Sequence, residues 1–161
     1  MACRVLTPDY IVDFLDVFRA GLDSLEVLDT CTVAKARKIY TAEHVGGLMA
    51  EGRISGFFEG DVLEGILVQA EDEVADGAIK RALIPWIMAR NPGNGAGSAL
   101  MSYCLETARG GNKDVVALIV SKRNTKAIRF YERLGFEENT SVGRDKIVMC
   151  YYLNEEVRPS P

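Results

Sequence analysis

The sequence predicts a mixed α/β fold in one domain, on three observations. Strand-like runs and helix-period segments alternate along the chain without a long linker. The turn pair Gly60-Asp61 joins two of the strand-like runs as a hairpin. A buried apolar run then leads through a glycine-rich loop straight into a helix. The chain has 161 residues, 48% apolar and 26% charged, which is an ordinary balance for one globular domain. A domain of this size buries roughly two-thirds of its unfolded surface and needs no covalent staples.

Residues 3–6 read as a short first strand. Thr7, Pro8 and Asp9 read as a helix start, with a capping hydroxyl, a proline in the first turn and an early acid. Ile11, Phe14, Leu15, Phe18 and Leu22 follow at helical spacing and bury one face. The stretch 29–40 has no clear period. A second helix begins at Thr41 and stops at Gly52. The hairpin of 54–59 and 62–70 comes next, then a polar turn over 71–77.

Residues 78–89 read as a long buried strand. Pro85 lies inside it and has no N–H to donate, so it marks a bulge or a place where pairing stops. The glycine-rich loop 91–97 is followed by a helix carrying Leu100, Tyr103, Cys104 and Ala108 on one side and closed by Gly110 and Gly111. The β-branched run Val115 to Val120 predicts a central strand within 114–121. Residues 124–134 are helical with Gly135 as the stop. A closing hairpin ends in a strand at 146–153, and the tail after Asn154 is expected to be loose.

Composition excludes several classes. Nineteen basic residues against 23 acidic ones give a net charge of -4, which argues against nucleic-acid binding. The four cysteines, Cys3, Cys31, Cys104 and Cys150, form no CxxC pair, so neither a metal site nor a disulfide framework is expected. That usage fits a reducing, cytoplasmic setting. No apolar run approaches the length of a membrane span, so no membrane partner is expected.

The segment IMARNPGNGAGSALM (87–101) carries the first chemical signal. Glycines at 93, 95 and 97 let the backbone approach a ligand, and the following helix offers unpaired N–H groups and a positive dipole end. The loop can therefore hold a phosphate or pyrophosphate, or be a plain glycine-rich connection. It is not a P-loop, because no Lys follows the glycines. Nor is it a dinucleotide fingerprint, because Ser98 stands where a third glycine is needed.

The segment NTKAIRFYERLGF (124–136) chooses between those readings. Asn124, Ala127, Ile128, Phe130, Tyr131, Glu132, Leu134, Gly135 and Phe136 match in register the signature of the GCN5-related N-acetyltransferases, the GNAT superfamily. The upstream GNGAGSALM resembles that superfamily's coenzyme A pyrophosphate loop at the expected distance. The resemblance implies a GNAT fold: a splayed, mostly antiparallel sheet of six to seven strands flanked by about four helices. It implies acetyl-CoA as co-substrate, no metal, and transfer of the acetyl group to a primary amine by direct attack in a ternary complex. The acceptor is a small amine or a protein or peptide amine. In this reading the fourth and fifth strands part near Pro85. Trp86, Ile87 and Met88 bind the pantetheine amides through their backbone, and one of their N–H groups polarises the thioester carbonyl. Gly93, Asn94, Gly95, Ala96, Gly97 and Ser98 hold the pyrophosphate.

Asn124 and Ala127 hold the coenzyme arm by the same resemblance, and Asn124 also reads as a helix N-cap. Tyr131 is the general acid that serves the departing thiolate; the alternative is an aromatic on a buried helix face, in step with Ala127, Ile128 and Leu134. Lys122, Arg123, Lys126 and Arg129 read as solvated surface charge or as phosphate contacts. Trp86 and the region 18–40 are expected to shape the acceptor pocket.

Two departures stand out. Pro92 occupies the place where the superfamily has Gln or Arg, with Arg90 two residues earlier. Residues 81–90 contain no carboxylate, although several members carry a Glu on that strand as general base. The base is therefore unassigned among Glu64, Glu71, Asp72, Tyr40 and His44, or is replaced by water or by an acceptor of low pKa. These departures keep a rival reading open, an acyl-CoA-binding module of the same fold without turnover. Relatives often pair as homodimers, and the apolar final strand IVMCYYL is the segment suited to contribute.

Overall fold

The structure is a computed structural model that describes residues 2–24, 30–73 and 79–160. Among the described residues seven strands form one sheet, in the order β1-β2-β3-β4-β5-β7-β6. They are β1 (Ala2–Val5), β2 (Ile54–Glu59), β3 (Val62–Glu73), β4 (Lys80–Ala89), β5 (Val115–Ser121), β6 (Glu137–Val142) and β7 (Lys146–Tyr152). Five α-helices accompany them: α1 (Ile11–Ser24), α2 (Thr30–Ile39), α3 (Ala42–Ala50), α4 (Ala96–Gly110) and α5 (Thr125–Arg133). The one beyond the four expected is α2, in the stretch where the sequence shows no clear period. Contacts divide the chain into two compact units, Met1–Val68 with Trp86–Tyr103 and Gln69–Pro85 with Cys104–Pro161.

In the first unit β1 pairs antiparallel with β2, and β2 with β3 across the Gly60-Asp61 turn. Pro8 opens a 3-10 turn that runs into α1, but the Thr7 hydroxyl makes no cap bond, which corrects the expected capping role. The periodic face of α1 is buried as expected at Phe14, Leu15, Phe18 and Leu22. These side chains form one core with Ile54, Ile66, Val45, Met49 and Met88. Burial of each large apolar side chain contributes on the order of 1.5–3 kcal/mol. Thr41 caps α3 by accepting from the His44 N–H at 3.3 Å.

In the second unit β5 pairs antiparallel with β7, and β7 with β6. β4 pairs parallel with β5 over three positions that end at Leu83↔Ala117, two residues before Pro85. The missing proline N–H gives a physical reason for that ladder to stop. The last turn of α4 is closed by Asn112 at φ 57, rather than by Gly110 or Gly111; asparagine tolerates the left-handed conformation better than most residues.

The segment after Asn154 has local structure of its own. A 3-10 turn at Glu155–Val157 is capped by Asn154, and Arg158 pairs with Glu155 at 2.7 Å and also with Glu137. The final apolar strand β7 lies between β5 and β6. Its Ile147, Met149 and Cys150 are buried within the chain. The polar turn expected over 71–77 begins later, since β3 continues to Glu73, and residues 74–77 lie outside the described residues. None of the described helices is long and apolar enough to cross a membrane.

Candidate functional site

In the first unit the glycine loop has the geometry of an anion cradle. Gly93 and Gly95 adopt φ of 94° and 86°, where an L side chain is strained. Two amides at the start of α4 are already used: Asn94 Oδ1 accepts from the Ala96 N–H at 3.1 Å, and the Gly95 carbonyl from the Ala99 N–H at 3.0 Å. Between them, the N–H groups of Gly97 and Ser98 have no hydrogen-bond partner among the described residues. Unpartnered amides at a helix N-terminus, beside its positive dipole end, suit an anion.

β3 and β4 support this loop from below. The Arg90 N–H donates to the Glu64 carbonyl at 2.7 Å, and Arg90 Nε to the Leu63 carbonyl at 3.1 Å. Arg90 is thus turned back onto β3 through its Nε. Glu64 is half-buried and accepts from Asn91 Nδ2 at 3.2 Å, which fixes it at the foot of the loop.

On β4, Trp86 and Ile87 are half-buried and Met88 is buried. Trp86 meets Phe18 edge-on at 5.4 Å and Tyr40 at 6.5 Å, and Tyr40 lies 4.7 Å from Phe18. The structure therefore brings together Trp86, Phe18 and Tyr40, which the sequence assigns to an acceptor pocket. Burial raises the Tyr40 phenol pKa, with the Trp86 hydrogen bond pulling the other way, so Tyr40 is not a base near neutral pH. His44 is exposed, edge-on to Tyr40 at 5.4 Å. It lines a shallow depression of about 420 Å³ on α3 together with Glu43, Leu48 and Glu51. Glu71 and Asp72 belong to β3, but their side chains lie outside the described residues.

In the second unit Asn124 caps α5, its Oδ1 accepting from the Ala127 N–H at 3.2 Å. That bond uses the amide side chain's acceptor and the Ala127 donor, and leaves Asn124 Nδ2 for a ligand. Tyr131 is wedged between Phe130 (5.3 Å between centroids) and Phe136 (5.8 Å), and Phe136 is held by Tyr151 at 5.6 Å. Gly135 at φ 102 permits that packing, because a Cβ there would lie 3.0 Å from Tyr151 Cε2. Burial pushes the Tyr131 phenol up to about 12, which keeps it protonated throughout the physiological range. Lys122, Arg123, Lys126 and Arg129 are exposed.

Two further features are not evident from the sequence. The apolar face of α5 is not fully enclosed: Ala127, Ile128, Phe130, Tyr131 and Leu134 are all half-buried. Ile119, on the central strand β5, is 48% exposed between Leu118 at 2% and Val120 at 7%. Both leave apolar surface open near Tyr131's helix and past the end of the β4–β5 ladder.

The sequence model of the Acetyltransferase (GNAT) family matches residues 40–136. An uncharacterized N-acetyltransferase of Mycobacterium tuberculosis (strain ATCC 25618 / H37Rv) is 31% identical over 140 residues, covering 86% of this chain and 76% of the relative. A mycothiol acetyltransferase of Thermobispora bispora is 39% identical over 69 residues, 43% of this chain and 23% of that protein. In fold, the chain is similar to PaiA N-acetyltransferase from Thermoplasma acidophilum in complex with coenzyme A. The TM-score is 0.80 at 15% identity, over 94% of this chain and 98% of that one. YncA, a putative acetyltransferase from Salmonella typhimurium solved with acetyl-CoA, superimposes with a TM-score of 0.69 at 18% identity, over 99% and 97% of the two chains.

Proposed function

The chain belongs to the acetyltransferase (GNAT) family and is an N-acetyltransferase, and we propose that it moves an acetyl group from acetyl-CoA to a primary amine by direct attack in a ternary complex. The observation that carries the coenzyme assignment is the first turn of α4. Two glycines at positive φ bring the backbone round so that the Gly97 and Ser98 amides stand without partners, and these residues fit a pyrophosphate. When bound, the coenzyme supplies an activated acyl thioester and a sulfur leaving group.

The remaining chemistry falls to this chain's own groups. The Met88 carbonyl lies 3.2 Å from where a Cβ on Gly65 would sit, so it is directed toward β3. Strand alternation then turns the N–H and C=O of Ile87 to the opposite edge of β4. We assign the direct pantetheine amide bonds to Ile87, flanked by Trp86 and Met88. Its N–H is also the donor available to an acyl carbonyl, a role typically worth a few kcal/mol. Asn124 Nδ2 remains for the coenzyme arm beside Ala127.

Tyr131 Oη carries a proton that it can share with the leaving sulfur. A free thiol has a pKa of about 8.5, well below the value near 12 to which burial raises this phenol. Tyr131 therefore acts chiefly by donating a hydrogen bond to negative charge as it forms, and keeps its own proton at the end. No carboxylate lies on β4, and Glu64 is held by Asn91. We assign the acceptor amine's proton to water; Glu71 and Asp72, whose side chains lie outside the described residues, are the alternatives within the protein. The relative named for mycothiol supports a small-molecule acceptor.

The test is a panel of amines, peptide amines included, with release of free coenzyme thiol as the readout. Tyr131→Phe is expected to bind coenzyme normally and to lose about 10²–10³-fold in kcat. Unchanged turnover in that variant would remove Tyr131 from the mechanism. Coenzyme binding with no turnover on any amine would favour the non-catalytic module.

A further inference from the structure

Resting on the coenzyme reading above, we infer that Gly65 is a positioning residue for coenzyme binding, because its missing side chain sets where both coenzyme-contacting elements lie. Gly65 is buried on β3, within the first unit. A Cβ built on it would meet three atoms at once: Leu100 Cδ1 at 3.0 Å, Ala96 Cβ at 3.2 Å and the Met88 carbonyl oxygen at 3.2 Å. All three distances are shorter than ordinary van der Waals contact between such atoms.

The three neighbours are not a random sample of the core. Ala96 opens α4, immediately before the two unpartnered amides. Leu100 is the next buried turn of the same helix, fully enclosed at 0% exposure, so it has little room to swing away. Met88 is on β4 next to Ile87, to which we assign the amide bonds. A methyl group at position 65 would have to push α4 away from the sheet, push β4 sideways, or both. Close packing transmits such a shift of a few tenths of an ångström rather than absorbing it. Hydrogen-bond donors aimed at a pyrophosphate and an amide are sensitive on that scale.

Gly56 on β2 supplies an internal control. A Cβ there would lie still closer to its neighbours, 2.6 Å from Leu63 Cδ1 and 2.7 Å from Leu6 Cδ2. Those neighbours are core side chains with no assigned contact to the coenzyme. A packing fault at Gly56 should therefore cost stability without altering the coenzyme site.

The experiment is calorimetric titration of the full chain with coenzyme A, with the melting temperature and the acetyl-CoA KM measured alongside. Gly65→Ala is expected to weaken coenzyme binding about tenfold and to raise KM in step, with kcat changed far less. Adding Ala96→Gly removes one of the three clashes and should recover part of the affinity. Gly56→Ala should lower the melting temperature and leave the coenzyme affinity at the wild-type value. If Gly65→Ala alone does not fold, Ala96→Ser enlarges the same contact from the helix side and should weaken binding likewise. Wild-type affinity in Gly65→Ala or Ala96→Ser, or an equal loss in Gly56→Ala, would overturn the inference. A wild-type chain that binds no coenzyme would instead overturn the assignment on which it rests.

Discussion

At the scale of single residues, Tyr131 shows how environment sets a side chain's use. Its ring is held by Phe130 and Phe136, and burial lifts its phenol to about 12. In kinetics, a proton held that firmly gives no alkaline fall in kcat/KM below about pH 10. With water as the base, the rate should rise with pH and level off at the pKa of whichever amine is used. A plateau that stays fixed as the amine is changed would point to a protein base instead. The same shift affects stability in a defined direction. The neutral phenol's contribution is complete below the unfolded value near pH 10 and is lost as pH rises through about 12. Tyr131 and Asn124 were legible in the sequence because each is embedded in a motif whose neighbours fix its position. Gly65 was not legible, since a glycine in a strand has no signal until the atoms packed over it are known.

At the scale of elements, the loop before α4 and the cluster around Asp114 each support a specific expectation. Gly95→Ala forces an L side chain to φ 86, a cost of roughly 1–2 kcal/mol. That loss should be read as up to about tenfold weaker coenzyme binding together with a melting temperature lower by a few degrees. Asp114 ties three strands together: its carboxylate accepts from the Lys80 N–H at 2.8 Å and from Asn154 Nδ2 at 3.1 Å. Those two bonds, the Lys80 one foremost, hold its carboxyl below the usual carboxylate range. The stability they confer is complete above about pH 4 and is lost as pH falls through the lowered value. Urea midpoints at pH 7 and pH 3 should therefore differ more in the wild type than in Asp114→Asn. An equal difference would show that this cluster does not report on acid stability.

Elements with a strong local period or a turn pair were read in the right place, as at α1 and at the β2–β3 hairpin, whose first strand matches residue for residue and whose second runs three residues further. α2 was missed because its apolar positions are too few to define a face: among its described side chains Ala36 alone is buried. The ion pairs of the tail were not legible because Arg158 and its carboxylate partners are brought together by tertiary structure, through Glu137 on β6.

For the whole molecule, the mixed α/β class and the order of elements followed from alternation along the chain, and family membership agrees with both. The apolar surface left open at Ile119 and along α5 was beyond sequence reasoning, because an apolar run on a central strand is ordinarily covered. The most direct measurement is the melting temperature of the full chain with saturating acetyl-CoA, ATP or NAD. At about 100 times its dissociation constant, a specific ligand adds about 2.7 kcal/mol, or a rise of roughly 5–10 °C for a chain of this size. Acetyl-CoA is expected to produce that rise, with ATP and NAD producing little. Equal protection by all three, or none by acetyl-CoA, would contradict the account.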